Sequence, residues 1–171
     1  AIKLVFASIY SPESRAYFNA IDYMIEEEKM AVIIQEVIGN EHNGRYYPEI
    51  SGVAQSYNFY PFSYIQPEDG FAVTAIGLGA YVVGGEKTHR FSPAYPKLQL
   101  ASTQDKIKAS QRYFYGVNML AQDYDLYRDG ENAAIKAYDI SDAERDGNME
   151  YTASVCGFMG GQISYGFSVR G

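Results

Sequence analysis

The sequence predicts an α+β fold, mainly antiparallel sheet with flanking helices, in one domain over residues 1–171. Three observations lead there: a helix start at Ser11-Pro12-Glu13, several short β-branched or aromatic runs bounded by glycine and proline, and no repeat or linker able to divide the chain. A chain of 171 residues can bury roughly two thirds of the surface it exposes when unfolded, so a sizeable core needs no staples.

Ala1 to Tyr10 carries Ile2, Val5, Phe6 and Ile9 at helical spacing. Ser11 is then a candidate cap and Pro12 the first helical residue of a helix running on through Ser14 to Glu28, with Tyr17, Ala20, Ile21, Met24 and Ile25 on one face. Glu26, Glu27 and Glu28 oppose the dipole at its C-terminus and mark a fraying exit. Met30 to Ile38 is a continuous apolar run that reads as a buried strand. After the polar turn Gly39 to Gly44, residues 45–62 suit a strand or extended ribbon around Ser51-Gly52-Val53, with a turn at Pro67-Glu68-Asp69-Gly70 and a strand from Phe71 to Ile76. Gly77-Leu78-Gly79 opens a helical pattern that ends at Gly84-Gly85, and Thr88 to Phe91 suits an edge strand. Thr103 is expected to cap a helix over Gln104 to Ala109, continued by helix from Ser110 to Leu120. Asp146-Gly147-Asn148 reads as a turn into Met149 to Val155, and the alternation from Gln162 to Val169 as a closing strand.

Composition narrows the function classes. The chain has 14 Lys and Arg against 21 Asp and Glu, a net charge of −7, and its basic residues are scattered, which argues against a nucleic-acid phosphate surface. No apolar run approaches the roughly 20 residues of a membrane helix. The lone Cys156 precludes a disulfide within the chain and suits a reducing compartment, so a cytoplasmic location is expected. Seventeen Tyr and nine Phe with no Trp fit tyrosine-rich sheets and interfaces.

The residues by themselves carry little chemistry. His42 and His89 read as solvated surface residues, and no His or Cys pair has metal-ligand spacing. Cys156 reads as a small buried hydrophobe. The Gly77-Leu78-Gly79 turn could present backbone N–H groups to an anion, although ordinary turn glycines explain it as well.

Residues 1–18 (AIKLVFASIYSPESRAYF), VIIQEVIG, SGVAQSYN and AIGLGAYVVGG resemble, in order and spacing, the second half of the ATP-binding domain of the phosphoenolpyruvate synthase and pyruvate phosphate dikinase family, an ATP-grasp fold. The resemblance covers about residues 1–100, with 101–171 a helical segment plus closing strands. It implies phosphoryl transfer from ATP, with Mg, through a histidine on a separate domain to pyruvate. By the same resemblance Gln35, Glu36 and Val37 form the strand whose backbone reads the adenine edge, a role that a plain buried strand would equally satisfy. Ser51 and Gly52 match the family's small-residue strand, Gly79 its glycine turn, and Lys87 falls near a basic residue facing the phosphates, though a surface lysine is as good a reading. Partners implied are ATP and the remaining domains of a parent protein, including the phosphohistidine domain.

The departures are specific. The family's glycine-lysine segment, its arginine-serine-serine motif and its threonine-glycine-glycine-histidine motif are absent from these residues. The glutamate that follows the G-L-G turn and binds magnesium is here Ala80, so another acid such as Glu86 takes over or metal-dependent transfer is lost. Two readings follow: a piece of a larger phosphotransferase, inactive alone, or a degenerate nucleotide-sensing or docking module.

Overall fold

The structure, a computed structural model, describes all residues except 1, 87, 99–101, 123–124, 131–133, 150–151, 154, 160–161 and 167–171. In chain order the helices are α1 (Ile2–Ser8), α2 (Pro12–Ala20), α3 (Ala80–Val83), α4 (Thr103–Lys108), α5 (Leu126–Asp129) and α6 (Ile140–Arg145). The strands are β1 (Asn40–His42), β2 (Arg45–Tyr47), β3 (Ser51–Gln55), β4 (Phe71–Ala75), β5 (His89–Phe91), β6 (Tyr113–Asn118), β7 (Ile135–Asp139), β8 (Val155–Met159) and β9 (Gln162–Gly166). Every strand pairing is antiparallel. The α+β mixture is therefore the one the sequence pattern predicts. Among the described residues, no helix is long and apolar enough to cross a membrane.

The chain divides into two compact units. The first comprises Ala1–Val37 and Tyr124–Ala133. In it the Ser11 hydroxyl accepts from the Ser14 N–H at 3.2 Å and Pro12 opens α2, because a proline at the first helical position gives up no hydrogen bond the helix needs. The helix stops at Ala20 instead of reaching Glu28. Asp22 adopts φ 52°, which breaks the helical path, and a 3₁₀ turn at Ile25–Glu27 follows. Residues 30–37 form no strand and are largely exposed, Ile33 at 83% and Ile34 at 77%, which corrects the expected buried strand. A continuous apolar run becomes a strand only where a ladder partner receives it, and none does so among the described residues.

The second unit, Ile38–Asp123 with Ala134–Gly171, holds the sheets. One has the order β1-β2-β6-β7, a second β3-β4-β5, and β8 pairs with β9. β5 lies at an edge, as the short Thr88–Phe91 pattern predicts. Tyr113–Asn118 is a strand where the sequence reading expects helix to continue from α4. Its alternation explains the outcome: Phe114 and Gly116 point inward while Tyr113 and Tyr115 stand on the opposite face. Ser102, not Thr103, caps α4, accepting from the Asp105 N–H at 3.2 Å. Asp146 and Gly147 form the turn that closes α6, and the strand described after them spans Val155–Met159.

The core of this unit is Tyr47, Ile76, Phe114, Ala143 and Met149, with Tyr138, Ile140 and Ala153 packed against it. The Tyr47 and Phe114 rings lie 4.5 Å apart and Phe114 and Tyr138 5.7 Å apart, so aromatic contacts tie β2, β6 and β7 together. Below them sits one buried charged cluster. Asp146, its side chain fully buried, accepts from Asn43 Nδ2 at 2.9 Å, from the Arg45 guanidinium at 2.9 and 3.1 Å, and from the Tyr47 hydroxyl at 2.7 Å. Arg45 also lies 5.6 Å from the centre of the Tyr138 ring. Burial alone would raise the Asp146 pKa, but the three donors outweigh it and hold the carboxyl below its ordinary value. The Tyr47 hydroxyl moves the other way, upward, because it is buried and donates to that carboxylate.

Candidate functional site

The expected glycine turn lies where β4 ends, and its surroundings fix it from three sides. Ile76 leaves β4 unpaired, and the Gln111 side chain takes the place of a neighbouring strand: Oε1 accepts from the Ile76 N–H and Nε2 donates to the Ile76 carbonyl, both at 2.9 Å. Gln111 Nε2 also donates to the Tyr113 carbonyl at 2.9 Å. The next two N–H groups are used as well, Gly77 donating to the Pro48 carbonyl at 3.2 Å and Leu78 to the Tyr115 carbonyl at 2.8 Å. Gly77 has φ 84°, and a Cβ there would stand 2.7 Å from the Tyr115 carbonyl oxygen, so only glycine fits.

Gly79 is different in kind. It has right-handed helical φ and ψ, and a Cβ added to it would meet nothing within 4 Å among the described residues. Neither its N–H nor that of Ala80 has a backbone partner among the described residues. α3 spans only four residues, too short for a helix dipole to matter, so what the turn offers is open backbone on a rigid mount.

Beside the turn, Ser51 and Gly52 lead β3, paired with Ala75 and Thr74 of β4. A Cβ on Gly52 would lie 2.3 Å from the Val73 carbonyl oxygen, so glycine lets the two strands close. The Ser51 hydroxyl is buried without a hydrogen-bond partner among the described residues. A groove of about 250 Å³ runs along this end of the sheet, with Ile50, Ile76, Ile140 and Met149 as apolar walls and Thr74 and Gln111 at its polar edge. That is below the roughly 300–1,000 Å³ of pockets enclosing a drug-sized ligand, and matches a smaller group.

On the other face of β6, Tyr81 of α3 packs on Tyr113 at 5.3 Å and Tyr115 at 6.5 Å between ring centres. The nearby Glu86 first and burial second raise the Tyr113 pKa; burial first and Glu86 second raise that of Tyr81.

The expected residues distribute as follows. Ser51, Gly52 and Gly79 belong to the second unit, on β3 and the turn after β4. Gln35, Glu36 and Val37 belong to the first, as exposed chain outside any strand, and Lys87 lies outside the described residues. A concavity of about 530 Å³ in the first unit is lined by Tyr10, Phe18 and Tyr23 with Arg15, Asp22 and Glu26, none of them an expected site residue. Among the described residues no three of His, Cys, Asp and Glu gather to hold a metal ion. His42 corrects the surface reading: its Nε2 is buried, and its ring lies 5.1 Å from that of Tyr47. Gln111, which mounts the turn, has no sequence signature.

Comparison with known proteins supplies the class. The chain matches the family model described as pyruvate phosphate dikinase, AMP/ATP-binding domain, over residues 1–146. It therefore belongs to that family and is an ATP-binding domain of the kind found in pyruvate phosphate dikinase or phosphoenolpyruvate synthase-like proteins. No curated protein and no solved structure matches it.

Proposed function

We propose that this chain is the nucleotide-binding part, of ATP-grasp type, of a cytoplasmic phosphoenolpyruvate synthase-like phosphotransferase. In that protein a phosphoryl group would pass from ATP through a phosphohistidine on another domain to pyruvate. The backbone of Gln35, Glu36 and Val37, exposed chain outside any strand in this structure, would read the adenine edge with its N–H and C=O groups beside the apolar side chains of Ile34 and Val37. Ser51, Gly52 and Gly79 would allow close approach of the nucleotide, with Lys87 toward its phosphates. The observation that carries the reading is the Gly77-Leu78-Gly79 turn: two of its N–H groups are clamped by Pro48 and Tyr115, while Gly79 faces open space. Preorganised backbone of this kind is what a ligand approaching the main chain needs.

Phosphoryl transfer requires a full set of positioned charges. The glycine-lysine, arginine-serine-serine and histidine motifs of the resemblance are missing from these residues, so the chain alone is expected to bind ATP without forming phosphohistidine. A second reading, a nucleotide-sensing or docking module that transfers nothing, is favoured by Ala80. The parent protein separates the two, because only the first yields phosphohistidine from labelled ATP.

Gly79→Ala tests the site directly. The added methyl has free space in the fold, so thermal stability should hold. A methyl in the path of a bound ligand costs about 1–3 kcal/mol, or on the order of tenfold in Kd. Calorimetric titration with ATP measures it. Absence of ATP binding, or an unchanged Kd in Gly79→Ala, would overturn the assignment.

A further inference from the structure

We infer that the concavity of the first unit is a further ligand site, which takes a free amino acid with an aromatic side chain. It shares no residue with the nucleotide contacts named above and does not depend on them.

Its shape follows from how α2 ends. Past the C-cap at Ile21, the Tyr23 N–H donates back to the Phe18 carbonyl at 3.1 Å, and the two rings lie 5.8 Å apart. This closure over six residues, with an apolar contact between its ends, is a Schellman turn. Asp22 is the residue that turns left-handed to allow it, at φ 52°. The chain so reversed brings Tyr23 and Glu26 to one concavity with Tyr10 and with Arg15 and Phe18 of α2. Its volume, about 530 Å³, lies within the roughly 300–1,000 Å³ of small-molecule pockets.

The turn accounts for the rings but not for the carboxylate. Glycine, or else asparagine, is the usual residue at that left-handed position. An acid there also meets the negative end of the helix dipole. A residue that local structure disfavours on two counts points to a role other than folding. No internal counter-charge retains it either: among the described residues, Arg15, Asp22 and Glu26 form no ion pair with one another or with any other group.

Opposite charges thus line one concavity without neutralising each other, and three aromatic rings stand among them. That combination selects the ligand. Carboxylates beside aromatic faces hold an ammonium, and a guanidinium holds a carboxylate through paired hydrogen bonds. A plain cation would share the site with Arg15, and a plain anion with Asp22 and Glu26. A zwitterion carrying an apolar ring satisfies every part. Its ammonium faces Asp22 and Glu26, its carboxylate faces Arg15, and its ring packs against Tyr10, Phe18 and Tyr23.

The test is calorimetric titration of the chain with phenylalanine and three analogues. These are 2-phenylethylamine, which lacks the carboxylate, 3-phenylpropionate, which lacks the ammonium, and alanine, which lacks the ring. Phenylalanine is expected to bind, and each analogue at least about tenfold more weakly. Arg15→Gln should weaken phenylalanine about tenfold without weakening 2-phenylethylamine. Asp22→Asn suits the left-handed turn at least as well, so its melting temperature should hold or rise while phenylalanine binding falls about tenfold. No binding of phenylalanine at millimolar concentration would overturn the inference. So would an analogue that binds as tightly as phenylalanine, or a native Kd in both variants. ATP titrated into the same protein reads the nucleotide site separately, so failure of one reading is distinct from failure of the other.

Discussion

Asp146→Asn removes one charge from the buried cluster of the second unit while keeping the side chain's shape. In the native fold the carboxylate accepts from Asn43, twice from Arg45 and once from Tyr47, and is wholly shielded from water. Removing one member of a buried ion pair costs roughly 3–5 kcal/mol, chiefly because the remaining charge is left buried and unpaired. Arg45 keeps 17% of its side chain in water and the amide retains one acceptor oxygen, so the lower end, about 3 kcal/mol, is expected. With a urea m-value of about 1–3 kcal/mol/M, that displaces the unfolding midpoint of this unit by about 1 M or more.

The pH dependence follows from the direction of the shift. The folded-state pKa of Asp146 lies below its ordinary value of 3.8. The carboxylate therefore contributes its full stabilisation above that value and loses it as pH falls through the folded pKa. The difference between native chain and variant should be full at neutral pH and narrow below about pH 4. The measurement is urea unfolding of both proteins across that range, followed by circular dichroism. Coincident midpoints at neutral pH would show that the cluster contributes nothing, and a difference that failed to narrow in acid would show that its source is not the charge.

Two further substitutions address the mount of the glycine turn. Gly52→Ala places a methyl against the Val73 carbonyl oxygen and should destabilise the β3–β4 pairing by about 1–3 kcal/mol, read as a lowered melting temperature; an unchanged melt would mean β3 has slack there. Gln111→Ala leaves the Ile76 N–H and carbonyl without their partner, at about 1–3 kcal/mol, and should speed amide exchange at Gly77 and Leu78. Unchanged exchange at those two positions would remove Gln111 from the account of the turn.

What could be read in the sequence was what nearby residues decide. Ser11 and Pro12 set a helix start through contacts three residues apart, and Pro67 to Gly70 set a turn that the structure shows as a capped 3₁₀ turn with Gly70 at φ 65°. Residues 110–120 were misread because aromatic and apolar residues at Tyr113, Phe114 and Val117 satisfy helical spacing as well as alternation. The pairing of Tyr113–Asn118 with Arg45 and Tyr46 on one side and with Ile135–Asp139 on the other decided between them. Met30 to Ile38 failed in the opposite direction, a strand composition without a strand partner among the described residues. The glycine turn was legible as Gly77-Leu78-Gly79, but its stiffness was not. That stiffness comes from Gln111, 35 residues from Ile76, and a glutamine has no pattern that announces such a partner.

The Asp146 cluster also sets a schedule for the chain as it is made. Its donors Asn43, Arg45 and Tyr47 precede their acceptor by 103, 101 and 99 residues. At typical synthesis rates of about 5–20 residues per second, the β1–β2 hairpin emerges from the ribosome on the order of 5–20 s before the carboxylate that anchors it. In that interval the Arg45 guanidinium and the Tyr47 hydroxyl remain hydrated, and the hairpin can change register without leaving a charge stranded. Arrival of α6 with Asp146 at its end then dehydrates these groups together with their partner, so the sheet becomes locked by its C-terminal arrival rather than by its N-terminal beginning.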